Sequence, residues 1–164
     1  MFEYFFYGLQ QDIKLFLFFP ILSAVFRLAF IKIYQPYSSF CGREKALFEC
    51  FRYGFWWGMD FNAYVFLVSL ILISIPSAFF DFFRVHGLEL RLSIGGIYAV
   101  ILYTAFMGKL IFYRHFHDTY NYLLNMGKNA EKRNLIDVFF HEDYGAWILI
   151  GYIPYTILVL LACL

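Results

Sequence analysis

Between Phe61 and Phe80 the chain runs for twenty residues without one charged side chain. A helix rises 1.5 Å per residue, so a run of this length matches a hydrocarbon core about 30 Å thick. Extended to residue 83, it is the cleanest of four such segments. The others are predicted at about residues 15–34, which contain Arg27, at 92–113, with Lys109 near the end, and at 144–164, uncharged to the last residue. A membrane β-barrel would instead show segments of about ten residues alternating polar and apolar. The stretch Val65-Phe66-Leu67-Val68-Ser69-Leu70-Ile71-Leu72-Ile73 does not alternate. The expected fold is all-α: a polytopic membrane helix bundle of about four transmembrane helices, with an interfacial segment between the first two.

Composition excludes the main alternative. The 164 residues are 62% hydrophobic and 15% charged, and include 23 Phe and 14 Tyr. Soluble domains average about 45–50% apolar and about 25% charged residues. A water-facing surface on so small a chain cannot hide that many rings. The formal net charge of +1 provides no basic field for nucleic acid, and no nucleic-acid partner is expected.

Pro20, Pro76 and Pro154 fall inside predicted spans. Membrane helices accommodate proline when neighbours re-satisfy the freed carbonyl, so these positions predict kinks rather than ends. Residues 1–14 hold Phe2, Tyr4, Phe5, Phe6 and Tyr7 with Glu3 and Asp12, and read as an interfacial lead-in to a transmembrane domain over 15–164. They lack the basic start and small-residue cleavage site of a signal peptide. The connection from Ile33 to Asp60 mixes charges with Phe55, Trp56 and Trp57, as an interfacial segment does. Arg84 to Arg91 is a tight turn around Gly87, and Arg114 to Asp143 is the longest and most polar connection. Lys and Arg are more numerous in the two long connections, which by charge bias alone places them in the cytoplasm. Cys41 and Cys50 share the first connection, where a disulfide on an oxidising face and two free thiols are both open.

Topology narrows the polar candidates. The first segment leaves the membrane where the second enters and where the third leaves again. Arg27, Asp60, Lys109, Arg114 and Asp118 are therefore expected near one bilayer surface, as a cluster of phosphate-binding cations with orienting carboxylates. Asp81 belongs to the opposite surface, paired with Arg84 at i,i+3. His115 and His117 alternate at i,i+2 and do not face one way on a helix, so no metal is expected and an interfacial belt is the simpler reading. No nucleophile elbow, P-loop, dinucleotide fingerprint or Cys-x-x-Cys is present. The hydroxyls Ser69, Ser74, Ser77 and Thr156 have no His or Asp partner at usable spacing along the sequence. No catalytic residue and no cofactor are expected in this chain.

The order of these features resembles the N-terminal membrane domain of the lipoteichoic acid synthase-like, sulfatase-superfamily membrane proteins of Gram-negative bacteria. The likeness is carried by Phe26-Arg27-Leu28 in the first helix and Met59-Asp60-Phe61 leading into the second. After the third come Phe112-Tyr113-Arg114-His115-Phe116-His117-Asp118-Thr119-Tyr120-Asn121, and before the fourth Glu142-Asp143-Tyr144-Gly145-Ala146-Trp147. The chain departs from the family pattern at Gly58-Met59, where a basic residue is usual, and at Lys109, where an acidic one is usual.

The resemblance implies a phosphotransferase acting on lipid headgroups, with catalysis in a separate phosphatase-like domain carrying a Thr nucleophile and a divalent metal. This chain would then be a truncated or split form, inactive alone, that anchors and positions a lipid for a separately encoded catalytic partner. The resemblance also implies the bacterial inner membrane, a cytoplasmic N-terminus, and Arg27, Asp60 and Arg114 toward the periplasm, opposite to the charge bias. The competing expectations are a small multi-pass transporter or channel component, lined by Arg27, Asp81 and Lys109, and a membrane scaffold protein.

Overall fold

The computed structural model describes residues 2–34, 42–117 and 132–163. Among them every regular element is helical: α1 (Phe2–Tyr34), α2 (Glu44–Ser69), a π turn (Leu70–Ser74), α3 (Ile75–Ser77), α4 (Asp81–Val85), α5 (Gly87–Phe116), α6 (Lys132–His141) and α7 (Gly145–Cys163). Among the described residues four stretches are long and apolar enough to cross a membrane: Glu3–Tyr34, Glu44–Ser77, Gly87–Phe116 and Gly145–Cys163. The protein has the architecture of a multi-pass membrane helix bundle. Large apolar side chains point outward along all four, among them Ile21, Ile71, Ile97 and Leu158, at 63%, 56%, 64% and 66% exposure. Such a surface requires lipid rather than water around it.

The helices run longer than their apolar cores. α1 continues unbroken through residues 2–14, so no backbone boundary separates the predicted lead-in from the first span. Lys14 and Lys32, both exposed on α1, lie eighteen residues apart, or about 27 Å along the axis, and frame the apolar part of α1, a few ångströms less than an average hydrocarbon core. The segment expected to lie along the interface after residue 42 is, from Glu44 onward, the first half of the second long helix. That helix stops at Ser77 rather than residue 83, because Phe80 is extended and Arg84 folds back to close the helix end. Arg84 Nε donates to Ser77 O at 2.8 Å and Nη2 to Ala78 O at 2.9 Å, satisfying orphan carbonyls. Arg84 Nη1 also pairs with Asp81 Oδ1 at 2.6 Å, the expected i,i+3 contact.

None of the three prolines ends a long helix. α1 continues through Pro20 and α7 through Pro154. Before Pro76 the second long helix widens into the π turn, where Ile75 N–H bonds Leu70 O, five residues back. Pro76 has no N–H and crowds the carbonyl of the preceding turn, and one extra residue per turn relieves that crowding.

The described chain divides into two compact units, residues 1–98 with 163–164 and residues 99–162. In the first, α1, α2 and the start of α5 meet through positions spaced by three and four: Asp12, Phe16 and Phe19; Asn62, Phe66 and Ser69; Arg91, Gly95 and Tyr98. Phe16 packs on Phe66 with ring centroids 5.5 Å apart, and Phe19, 1% exposed, meets Tyr98 edge-on at 4.7 Å. In the second unit Tyr103 donates to Ile148 O at 3.2 Å and Tyr155 to Ala99 O at 3.0 Å, while Thr104 and Tyr152 share a hydroxyl bond of 2.7 Å. These tyrosines tie α7 to α5 by hydrogen bonds where both neighbouring surfaces and lipid are equally apolar.

Candidate functional site

Two arginine sites lie at different levels of α1 within the first unit. Asp12 and Arg27 are fifteen residues apart, or about 22 Å along the helix. The first site is closed. Asp12 is 1% exposed and Arg91 5%, and Arg91 Nε donates to Asp12 Oδ1 at 2.9 Å. Ser69 Oγ donates to the same oxygen at 2.6 Å, and Ser74 Oγ donates to Oδ2. Arg91 Nη2 in turn donates to Ser74 Oγ at 2.8 Å.

The π turn makes this constellation possible. On a regular α-helix, residues five apart point about 140° away from one another. Across a turn closed by i→i+5 bonds they stack, so Ser69 and Ser74 reach the two oxygens of one carboxylate. Gly8 supplies the remaining space: a Cβ there would come within 2.5 Å of Arg91 Nη2 and 2.9 Å of Ser74 Oγ. The result is a neutral, internally satisfied polar layer holding three helices together.

The second site is open. Arg27 Nη1 donates to Phe51 O at 3.3 Å, and its guanidinium lies 5.9 Å from the Phe51 ring centroid. Gly54 admits that guanidinium against α2, for a Cβ at this position would collide with it. Around Arg27 is a cavity of ≈ 270 Å³ between α1 and α2, lined by Pro20, Ala24, Phe48, Phe55, Trp56 and Arg52 among others. A half-buried cation at the edge of an aromatic groove is suited to an anion that carries an apolar tail.

In the second unit the ends of α5 and α7 meet. His115 Nε2 lies 2.9 Å and 3.1 Å from the two oxygens of Asp143, whose side chain is 3% exposed, and Arg114 Nη1 is 4.0 Å from Oδ1. Arg114 also lies over the Tyr144 ring at 5.8 Å. Tyr144 has φ 56°, which turns the chain into α7 and leaves Asp143 facing α5. The two sequence segments around Arg114 and Asp143 thus pair through one buried carboxylate.

Of the expected cluster, Arg27 binds the Phe51 carbonyl and Arg114 sits beside Asp143, while Asp60 is exposed on α2. Lys109 is half-buried on α5, and Asp118 lies outside the described residues, as does Cys41. Among the described residues no group of three or more His, Cys, Asp or Glu gathers as a metal site. The hydroxyls Ser69 and Ser74, without a partner along the sequence, both find Asp12 in space.

The buried layer around Asp12, which holds helices together, is the polar feature least visible in the sequence. The start of α1 and the start of α5 share a membrane face by the same topology that grouped Arg27 with Asp60. An acid and a base facing each other there were a signal for the pairing. No protein-family model, curated protein or solved structure matches this chain.

Proposed function

We propose that this chain is the lipid-positioning membrane domain of a lipoteichoic acid synthase-like, sulfatase-superfamily phosphotransferase of the bacterial inner membrane. The observation that supports this reading best is the Arg27 groove. Its guanidinium is engaged by one backbone carbonyl and an aromatic face, with Arg52 on the same rim and an apolar floor beneath. Arginine's planar fork of N–H groups donates to the oxygens of a phosphodiester headgroup, and acyl chains require an apolar bed. Arg27 is five residues inward of Lys32, about 7.5 Å by helical rise, and its stem is long enough to bring the charge to the headgroup level.

In this reading the domain performs no bond chemistry. It holds and orients a phosphate-bearing lipid, with the amino terminus in the cytoplasm and the Arg27 groove opening toward the periplasm. Transfer of the headgroup belongs to a partner domain of the metal-dependent phosphatase type. The sequence likeness at Phe26-Arg27-Leu28, Met59-Asp60-Phe61 and the segment after α5 supports the family named here.

The test is lipid retention. Protein reconstituted with phosphatidylglycerol and phosphatidylethanolamine is exchanged into detergent, and bound lipid is counted by native mass spectrometry. Wild type is expected to keep an anionic phospholipid that Arg27→Gln loses and Arg27→Lys keeps in part. Equal retention by wild type and Arg27→Gln would remove the basis of the proposal.

A further inference from the structure

Among the described residues, one buried polar group in the first unit has no partner. Asn62 is 1% exposed, and Tyr98 donates to its Oδ1 at 2.6 Å, but its Nδ2 donates to nothing among the described residues. An unmet buried N–H costs about 1–3 kcal/mol, so a protein retains one only where something else accepts from it. Beside this amide is a narrow cavity of ≈ 10 Å³, lined by Asp12, Asn62, Val65, Phe66, Ser69 and Gly95 with their neighbours.

The lining defines the occupant. At one end an amide offers N–H and needs an acceptor. At the other, the Asp12 carboxylate and the Ser69 hydroxyl oxygen accept, and Asp12 repels an anion. A cation would face the amide N–H and the Arg91 guanidinium already bound to Asp12. The occupant must therefore accept from the amide and carry no charge. The space is close to the minimum that holds one water, and too small for anything larger.

We propose that this cavity is a structural water site, in which one water accepts from Asn62 Nδ2. Buried waters with such partners are fixed parts of a structure.

The experiment is water-edited solid-state NMR on the full chain in lipid vesicles with ¹⁵N-labelled asparagine, the Asn62 resonance being identified by its loss in Asn62→Leu. Wild type is expected to show transfer from water to Asn62 Nδ2. Gly95→Ala adds a methyl whose nearest neighbour is Phe19 Cζ at 3.6 Å, an ordinary contact, so the fold has room for it. With less than one water's volume left, the transfer should fall about tenfold. Val65→Ala enlarges the same space and should preserve the signal. Absence of transfer in wild type, at mixing times that polarise the exposed helix ends, overturns the proposal. So does a signal that Gly95→Ala leaves unchanged.

Discussion

Replacing Arg91 by leucine removes the only cation that touches the Asp12 carboxylate among the described residues. The side chains of the pair are 6% and 0% exposed, so no solvent is at hand to take the place of the guanidinium. Ser69 and Ser74 would still donate, but neither carries charge. Breaking a buried pair from one side costs about 3–5 kcal/mol, which is roughly a hundred- to several-thousandfold in the unfolding equilibrium. Removing both partners, in Asp12→Leu with Arg91→Leu, eliminates the stranded charge and should recover stability to within about 1 kcal/mol of wild type. Ser69→Ala, which deletes a single donor, should cost about 1 kcal/mol. Steric trapping in bicelles measures all four proteins on one scale. A single Arg91→Leu variant that loses less than about 1 kcal/mol, or a double variant no better than the single, would refute the argument that the pair is desolvated and mutually dependent.

Further outcomes follow from other parts of the structure. Gly8→Ala places a methyl against Arg91 and Ser74 and should destabilise the first unit by about 1–3 kcal/mol, read by the same trapping assay. Gly54→Leu should evict the Arg27 guanidinium from α2 and abolish the retention of anionic phospholipid while leaving helix content by circular dichroism unchanged. His117 ends α5 with φ 51° and its N–H on Tyr113 O at 2.8 Å, so His117→Gly should raise stability by about 0.5–1 kcal/mol. Reporters fused after Tyr53 and Asn129 should read periplasmic and one after Glu89 cytoplasmic; the reverse pattern would overturn the orientation proposed for the domain.

The four long helices were legible because each carries an apolar run that only a bilayer can accommodate, and the Asp81–Arg84 pair because i,i+3 spacing on one helix leaves little choice. Helix ends were less legible. The end at Ser77 depends on Arg84 reaching back to carbonyls seven and six residues earlier, a tertiary closure that no local propensity encodes. The start of the second long helix at Glu44 was obscured because its first half mixes charges and aromatics, a pattern shared by interfacial segments and by helices that project beyond the hydrocarbon. The π turn was not legible at all: on an α-helical wheel Ser69 and Ser74 fall on different faces, so nothing joined them to one carboxylate. The seat of Arg27 was half legible. Its depth in the first span marked it, but the Phe51 carbonyl and Gly54 became its neighbours only when α2 packed against α1.

The exposed lysines of α1 have a consequence for the surrounding lipid. With Lys14 and Lys32 about 27 Å apart on the axis, the stretch they frame falls a few ångströms short of an average bilayer. Long acyl chains would have to compress beside this helix, or the ammonium groups extend outward, at fractions of a kcal/mol per ångström. α1 is thereby matched to thin, short-chain membranes, and bilayer thickness is a variable that should tune how well the protein seats itself.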